Sequence, residues 1–119
     1  MMGLSPSAGD VVTISVTATT ATSATVVITN ESTNQTVSQV VTTGNLCMEE
    51  ADWLVEDFEV DGSLTTLADF DEIKFTDVSA GTARGSLDIS GATILNIEQN
   101  GTVLTAVSSS RSTVDIVYV

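Results

Sequence analysis

Short runs rich in Val, Ile and Thr recur along this chain, alternating with small polar residues and closed by turn signals about every ten residues. β-Branched side chains suit a pleated, half-buried surface. A period of two marks strands whose two faces meet different surroundings. The alternation runs from Val11 to Thr19 and from Ala24 to Thr29, and a third stretch covers Gln35 to Thr43. Asn30-Glu31-Ser32-Thr33-Asn34, Gly44-Asn45 and Asp61-Gly62 read as turns, the last as a tight hairpin loop, and Asn100-Gly101 signals a type I′ hairpin. Short strands are also expected over 68–75, 86–89, 93–98, 103–107 and 114–119, with Gly81 and Gly85 bracketing a polar bend around Arg84. No segment keeps apolar residues at i, i+3, i+4 and i+7, so no helix is expected. The pattern predicts an all-β fold, an antiparallel β-sandwich of eight or nine short strands.

With 119 residues and 42% hydrophobic content, the chain makes one domain or a large piece of one. No apolar run is long enough to span a bilayer as a helix. The formal charge is −13, with Lys74, Arg84 and Arg111 as the only cations. Nucleic acid and anionic membrane both select clustered Lys and Arg, so neither is an expected partner. Eleven of the sixteen acids fall between Glu49 and Asp77, which concentrates the negative charge in one region. Such a face keeps a protein soluble, and it also suits work in acid, where protonation relieves self-repulsion.

The chain has no His, which removes Ser-His-Asp and Cys-His nucleophile chemistry. It also leaves no His/Cys cluster for zinc, and neither a metal nor a cofactor is expected. Cys47 is the single cysteine, so no intrachain disulfide can form. It is expected as a buried or half-buried thiol with no reactive role, because no cation lies near it in sequence. Asn30, Asn34 and Asn100 each open an Asn-x-Ser/Thr triplet, a pattern that chance also produces in a chain rich in Thr and Ser.

The densest chemistry lies in Leu46-Cys47-Met48-Glu49-Glu50-Ala51-Asp52-Trp53-Leu54-Val55-Glu56-Asp57-Phe58-Glu59. Read as a strand, Asp52, Leu54, Glu56 and Phe58 share one face, and Trp53, Val55, Asp57 and Glu59 share the other. A carboxylate in mid-strand between a Leu and a Phe either lines a wet groove or carries a costly, useful charge. Trp53 and Val55 belong to the core. Asp57 falls on that same apolar face, a conflict that calls for a hydrogen-bond donor or a bulge.

This segment resembles the glutamic peptidases, the eqolisin family of fungal acid endopeptidases. The shared pattern is Leu46-Cys47, a short spacer, then Ala51-Asp52-Trp53-Leu54-Val55-Glu56-Asp57-Phe58. The likeness extends upstream to Gly9-Asp10-Val11-Val12-Thr13-Ile14-Ser15-Val16-Thr17-Ala18. Downstream it takes in Leu67-Ala68-Asp69-Phe70, Ile73-Lys74-Phe75-Thr76-Asp77 and the ending Tyr118-Val119. The resemblance implies two packed antiparallel sheets, with the active site on the concave face of one. It implies Glu56 as the catalytic carboxylate, a polypeptide as substrate, and an extracellular setting. Asp52 and Phe58, on the face of Glu56, are then expected to border the substrate, with Phe58 packed under a loop as the alternative.

In the family the catalytic Glu works with a Gln, placed in an N-terminal part of the domain that precedes the matched segments. None of Gln35, Gln39 or Gln99 has that context. Residues 1–9, small and polar, are expected as a flexible N-terminal entry, and the resemblance makes 10–119 the C-terminal portion of the peptidase-like sandwich. A family Cys at the place of Cys47 ordinarily has a partner, which is another departure. No signal peptide follows Met1-Met2-Gly3, so a trimmed or incomplete gene product is expected. An N-terminal chain or a second copy is the expected partner completing the sandwich. The alternative function is a non-catalytic β-sandwich module for binding or assembly.

Overall fold

The computed structural model describes residues 3–119 and separates into two compact units, Met1–Glu50 and Ala51–Val119. Among the described residues every regular element is a β-strand, and all pairings are antiparallel, as the alternation predicts.

The first unit is a meander of β1 (Val12–Thr20), β2 (Ser23–Asn30) and β3 (Gln35–Thr42), with β2 in the middle. The register sets Ile14 opposite Ile28 and Ile28 opposite Val37, and likewise aligns Val16 with Val26 and Ala24 with Val41. These residues share one face. Thr13, Thr29 and Thr36 align on the other, where the Thr29 and Thr36 hydroxyls hydrogen-bond at 3.0 Å. Both faces of β1 are exposed, with Ile14 at 58% and Val16 at 66%. Ahead of the sheet, a turn over residues 7–10 is closed by the Ser7 N–H on Asp10 Oδ2 at 2.9 Å and the Asp10 N–H on the Ser7 carbonyl at 3.1 Å.

In the second unit, β4 (Glu59–Val60) and β5 (Ser63–Leu64) form a hairpin around Asp61-Gly62. Both turn residues have positive φ, 51° and 78°, as a type I′ turn requires. After β6 (Glu72–Phe75) come two more hairpins: β7 (Ala80–Thr82) with β8 (Gly85–Leu87), and β9 (Glu98–Gln99) with β10 (Thr102–Val103). Asn100 and Gly101 link the latter pair with φ of 52° and 77°. Finally β11 (Thr105–Ser109) and β12 (Val114–Tyr118) pair, and β12 also pairs with β6 to give a three-stranded sheet.

The inner face of that sheet carries Val107, Val114, Ile116 and Phe75. Val114 and Ile116 are buried with Val78 and Ile89, and Trp53, Val55, Phe70, Phe75 and Val107 pack against them. Trp53 and Val55 therefore take the core positions their alternation assigned. On the opposite face Lys74 pairs with Asp115 across the strands at 3.5 Å.

Three expected strands are corrected. Residues 51–58 join no ladder, and regular pairing begins only at Glu59. Alternation nevertheless persists: Trp53, Val55 and Asp57 are half-buried, while Asp52, Leu54, Glu56 and Phe58 are exposed. Alternation of faces belongs to any extended backbone, whereas a ladder needs a second strand alongside. The strands expected over 68–75 and 93–98 likewise shrink, to Glu72–Phe75 and to Glu98–Gln99.

Candidate active site

Glu56 lies on the exposed side of the extended segment, as the period of two requires. It lines an open groove of about 380 Å³ whose other walls include Phe58, Leu67, Phe70 and Ile73. Asp57, Thr65 and Thr66 line it as well, so the groove sets two carboxylates beside an apolar wall. Phe58 is 62% exposed and shares this groove. Asp52, also exposed, lines a different opening of about 340 Å³, together with Trp53, Ile97 and Val107. The structure thus brings Glu56 and Phe58 to one groove and places Asp52 at another.

The backbone around Glu56 is held from its C-terminal side. The Phe58 carbonyl accepts from the Thr65 N–H at 3.0 Å and from the Thr65 hydroxyl at 2.9 Å. These bonds extend the β4–β5 hairpin back by one residue. Asp57 on the inward side finds the donor that its position demands: Gln99 Nε2 donates to Asp57 Oδ2 at 3.1 Å. The same nitrogen donates to the Thr65 carbonyl at 3.1 Å. Gln99 stands on β9 beside the Asn100-Gly101 turn, 42 residues from Asp57. Its role was invisible in the sequence, where only the adjacent turn dipeptide marked its place.

Both N–H groups of the Gln99 carboxamide are engaged in these two bonds, so it has no donor left for a substrate carbonyl. Among the described residues, no side-chain hydrogen bond reaches Glu56 and no group of three or more His, Cys, Asp or Glu converges on a metal position. Cys47 is exposed, which corrects the expected buried thiol. It follows half-buried Leu46 in a segment without regular structure, so nothing folds back over it.

The profile of the Peptidase A4 family matches residues 1–118. Aspergillopepsin-2 of Aspergillus niger is 38% identical over 116 residues, 95% of this chain and 41% of that protein. The likeness extends to the fold. The crystal structure of aspergilloglutamic peptidase from Aspergillus niger superposes with a TM-score of 0.93 at 36% identity, covering 100% of this chain and 72% of the other. A member of the eqolisin family in complex with the tripeptide Ala-Ile-His matches with a TM-score of 0.78 at 30% identity, covering 93% of this chain and 61% of that one. The chain spans 41% and 49% of the length of the curated relatives it matches. The β-sandwich predicted from the alternation of strands and turns is the fold class of these neighbours. By its sequence match and its fold, the chain belongs to the Peptidase A4 family, the glutamic peptidases or eqolisins.

Proposed function

We propose that this chain supplies the Glu-bearing part of an extracellular acid endopeptidase, with Glu56 as the carboxylate that activates water. The observation that carries the reading is the exposed Glu56 on a groove with Phe58 and Phe70, within a chain of the glutamic peptidase family. A polypeptide is the substrate, and the tripeptide held by a related eqolisin supports that class. Phe58 borders the peptide at the groove; Asp52 faces a separate opening, on the same exposed side of the segment as Glu56. Glu56 takes a proton from water as that water attacks the scissile carbonyl carbon. It then hands the proton to the leaving amine as the C–N bond breaks. The oxyanion of the tetrahedral intermediate needs a neutral donor, and a Gln from the preceding part of the domain fills that role.

The test is hydrolysis of an unfolded protein at acid pH, insensitive to pepstatin-type inhibitors. It is run with the 119-residue chain alone and with the Gln-bearing portion added in trans. Loss of one oxyanion donor costs about 10²–10³ in kcat, so the isolated chain is expected to be a poor peptidase and the addition to restore activity. Failure of the completed protein to hydrolyse any unfolded substrate would overturn the assignment.

A further inference from the structure

We propose that Gln99 is a positioning residue for Glu56, acting through Asp57 without touching the substrate. The inference rests on the catalytic reading of Glu56.

Residues 51–58 are extended yet join no ladder, and the nearest backbone bond of the hairpin is at the Phe58 carbonyl, so pairing by itself does not set the direction in which Glu56 leaves the chain. Trp53 and Val55 anchor the N-terminal half of the segment by packing on the core. At the next inward position the pattern offers Asp57, which cannot anchor by apolar burial and is half-buried all the same. A desolvated carboxylate is tolerated only where donors meet it. The donor here is a single carboxamide that spends one N–H on Asp57 and the other on the Thr65 carbonyl, both at 3.1 Å. Thr65 in turn donates twice to the Phe58 carbonyl. These bonds tie residues 57 and 58 to β9 and to the flank of the β4–β5 hairpin, directly after Glu56.

The mount of Gln99 is itself well determined. The Asn100-Gly101 turn fixes the β9–β10 register, and the Leu104 N–H donates to the Ile97 carbonyl at 2.8 Å. The Ile97 N–H donates to the hydroxyl of the fully buried Thr105 at 2.8 Å. The neutrality of the clamp matters as well. Lys or Arg at position 99 would also pair with Asp57, but would set a positive charge near Glu56 and weaken it as a base. A carboxamide keeps the same protonation at every pH. When Asp57 is protonated, its carbonyl oxygen still accepts.

The test uses Gln99→Leu and Gln99→Glu, with activity read on the protein completed as under Proposed function. Trp53 is the only tryptophan of this chain, so unchanged emission from the 119-residue chain shows that the core is intact. In Gln99→Leu, backbone ¹⁵N order parameters at residues 56–58 are expected to fall from about 0.85 to below about 0.6. kcat should fall at least about tenfold with KM within about twofold, the signature of a misplaced catalytic group. Gln99→Glu keeps the shape and makes the clamp titratable: it donates one hydrogen bond in place of two when protonated and repels Asp57 when ionised. Its kcat relative to wild type should be highest in acid, where the single O–H restores one of the two bonds, and should fall as pH rises through and above the ordinary Glu range, because the neighbouring Asp57 disfavours ionisation. Wild-type order parameters and kcat in Gln99→Leu, or a pH-independent Gln99→Glu, would overturn the positioning role. Retained activity in Glu56→Gln would instead overturn the catalytic reading, while the order parameters still judge the clamp.

Discussion

Asn30 donates from Nδ2 to Asp10 Oδ2 at 2.7 Å, joining the end of β2 to the turn that leads into β1. Its Oδ1 accepts from the N–H groups of Ser32 and Thr33 at 3.0 and 3.2 Å. Asn30 is 0% exposed, so neither end of this amide has water as an alternative partner. The one side chain organises both connections at its end of the sheet.

Asn30→Ala should therefore destabilise the protein by about 1–3 kcal/mol, the cost of leaving buried polar groups without partners. Urea unfolding at neutral pH measures it. The same burial bears on the Asn-x-Ser/Thr triplets: a folded chain carries no glycan at Asn30, whereas Asn34 and Asn100 are exposed. Peptide mass mapping of material secreted from a glycosylating host checks this.

The pH response follows from the same pair. The Ser7 N–H, and after it the Asn30 amide, hold the Asp10 carboxyl below its ordinary value, against a smaller opposing effect of desolvation. A group whose folded-state pKa is depressed contributes stability that is complete above its unfolded value. That contribution is lost as pH falls through the folded value. The stability gap between wild type and Asp10→Asn should be widest near neutral pH and should close below the ordinary Asp range. Unfolding midpoints of both proteins across an acid series test the closure, and a constant gap would contradict it.

Ile116→Ala should cost about 2–5 kcal/mol, because it empties volume at the centre of a core with few fully buried members. Thermal and urea unfolding read it. Val103→Ala, at a 49% exposed position, serves as the comparison and should change stability by well under about 1 kcal/mol.

Glu56→Gln keeps the side chain's shape and removes its ionisable group. In the completed protein it should reduce acid proteolysis by about 10²–10⁴. Unfolding midpoints should barely move, since the side chain is exposed. Substantial residual activity at acid pH would assign the base to another group.

Much of the fold and the placement of Glu56 were legible in the sequence because they are local. Asp61-Gly62 and Asn100-Gly101 take positive φ at both positions, the conformation these dipeptides favour between strands. The opposition of Trp53 and Glu56 follows from the extended backbone alone, and it survives although the expected ladder does not form. The short strands Ser63–Leu64 and Ala80–Thr82 escaped notice, since two or three residues are too few to show a period.

What the sequence determined by itself was therefore the class of fold, most turns and the side of the chain on which Asp52, Glu56 and Asp57 stand. Only the tertiary structure decided which partners those side chains meet. Asp57 is satisfied by Gln99, 42 residues away, and Asn30 by Asp10, 20 residues away. Turn chemistry and alternation act within a few residues. A donor for a desolvated carboxylate or amide is set by how distant segments pack, which no local pattern encodes. For the same reason Glu56 and Phe58 came to share a groove while Asp52, on their own side of the chain, faced another.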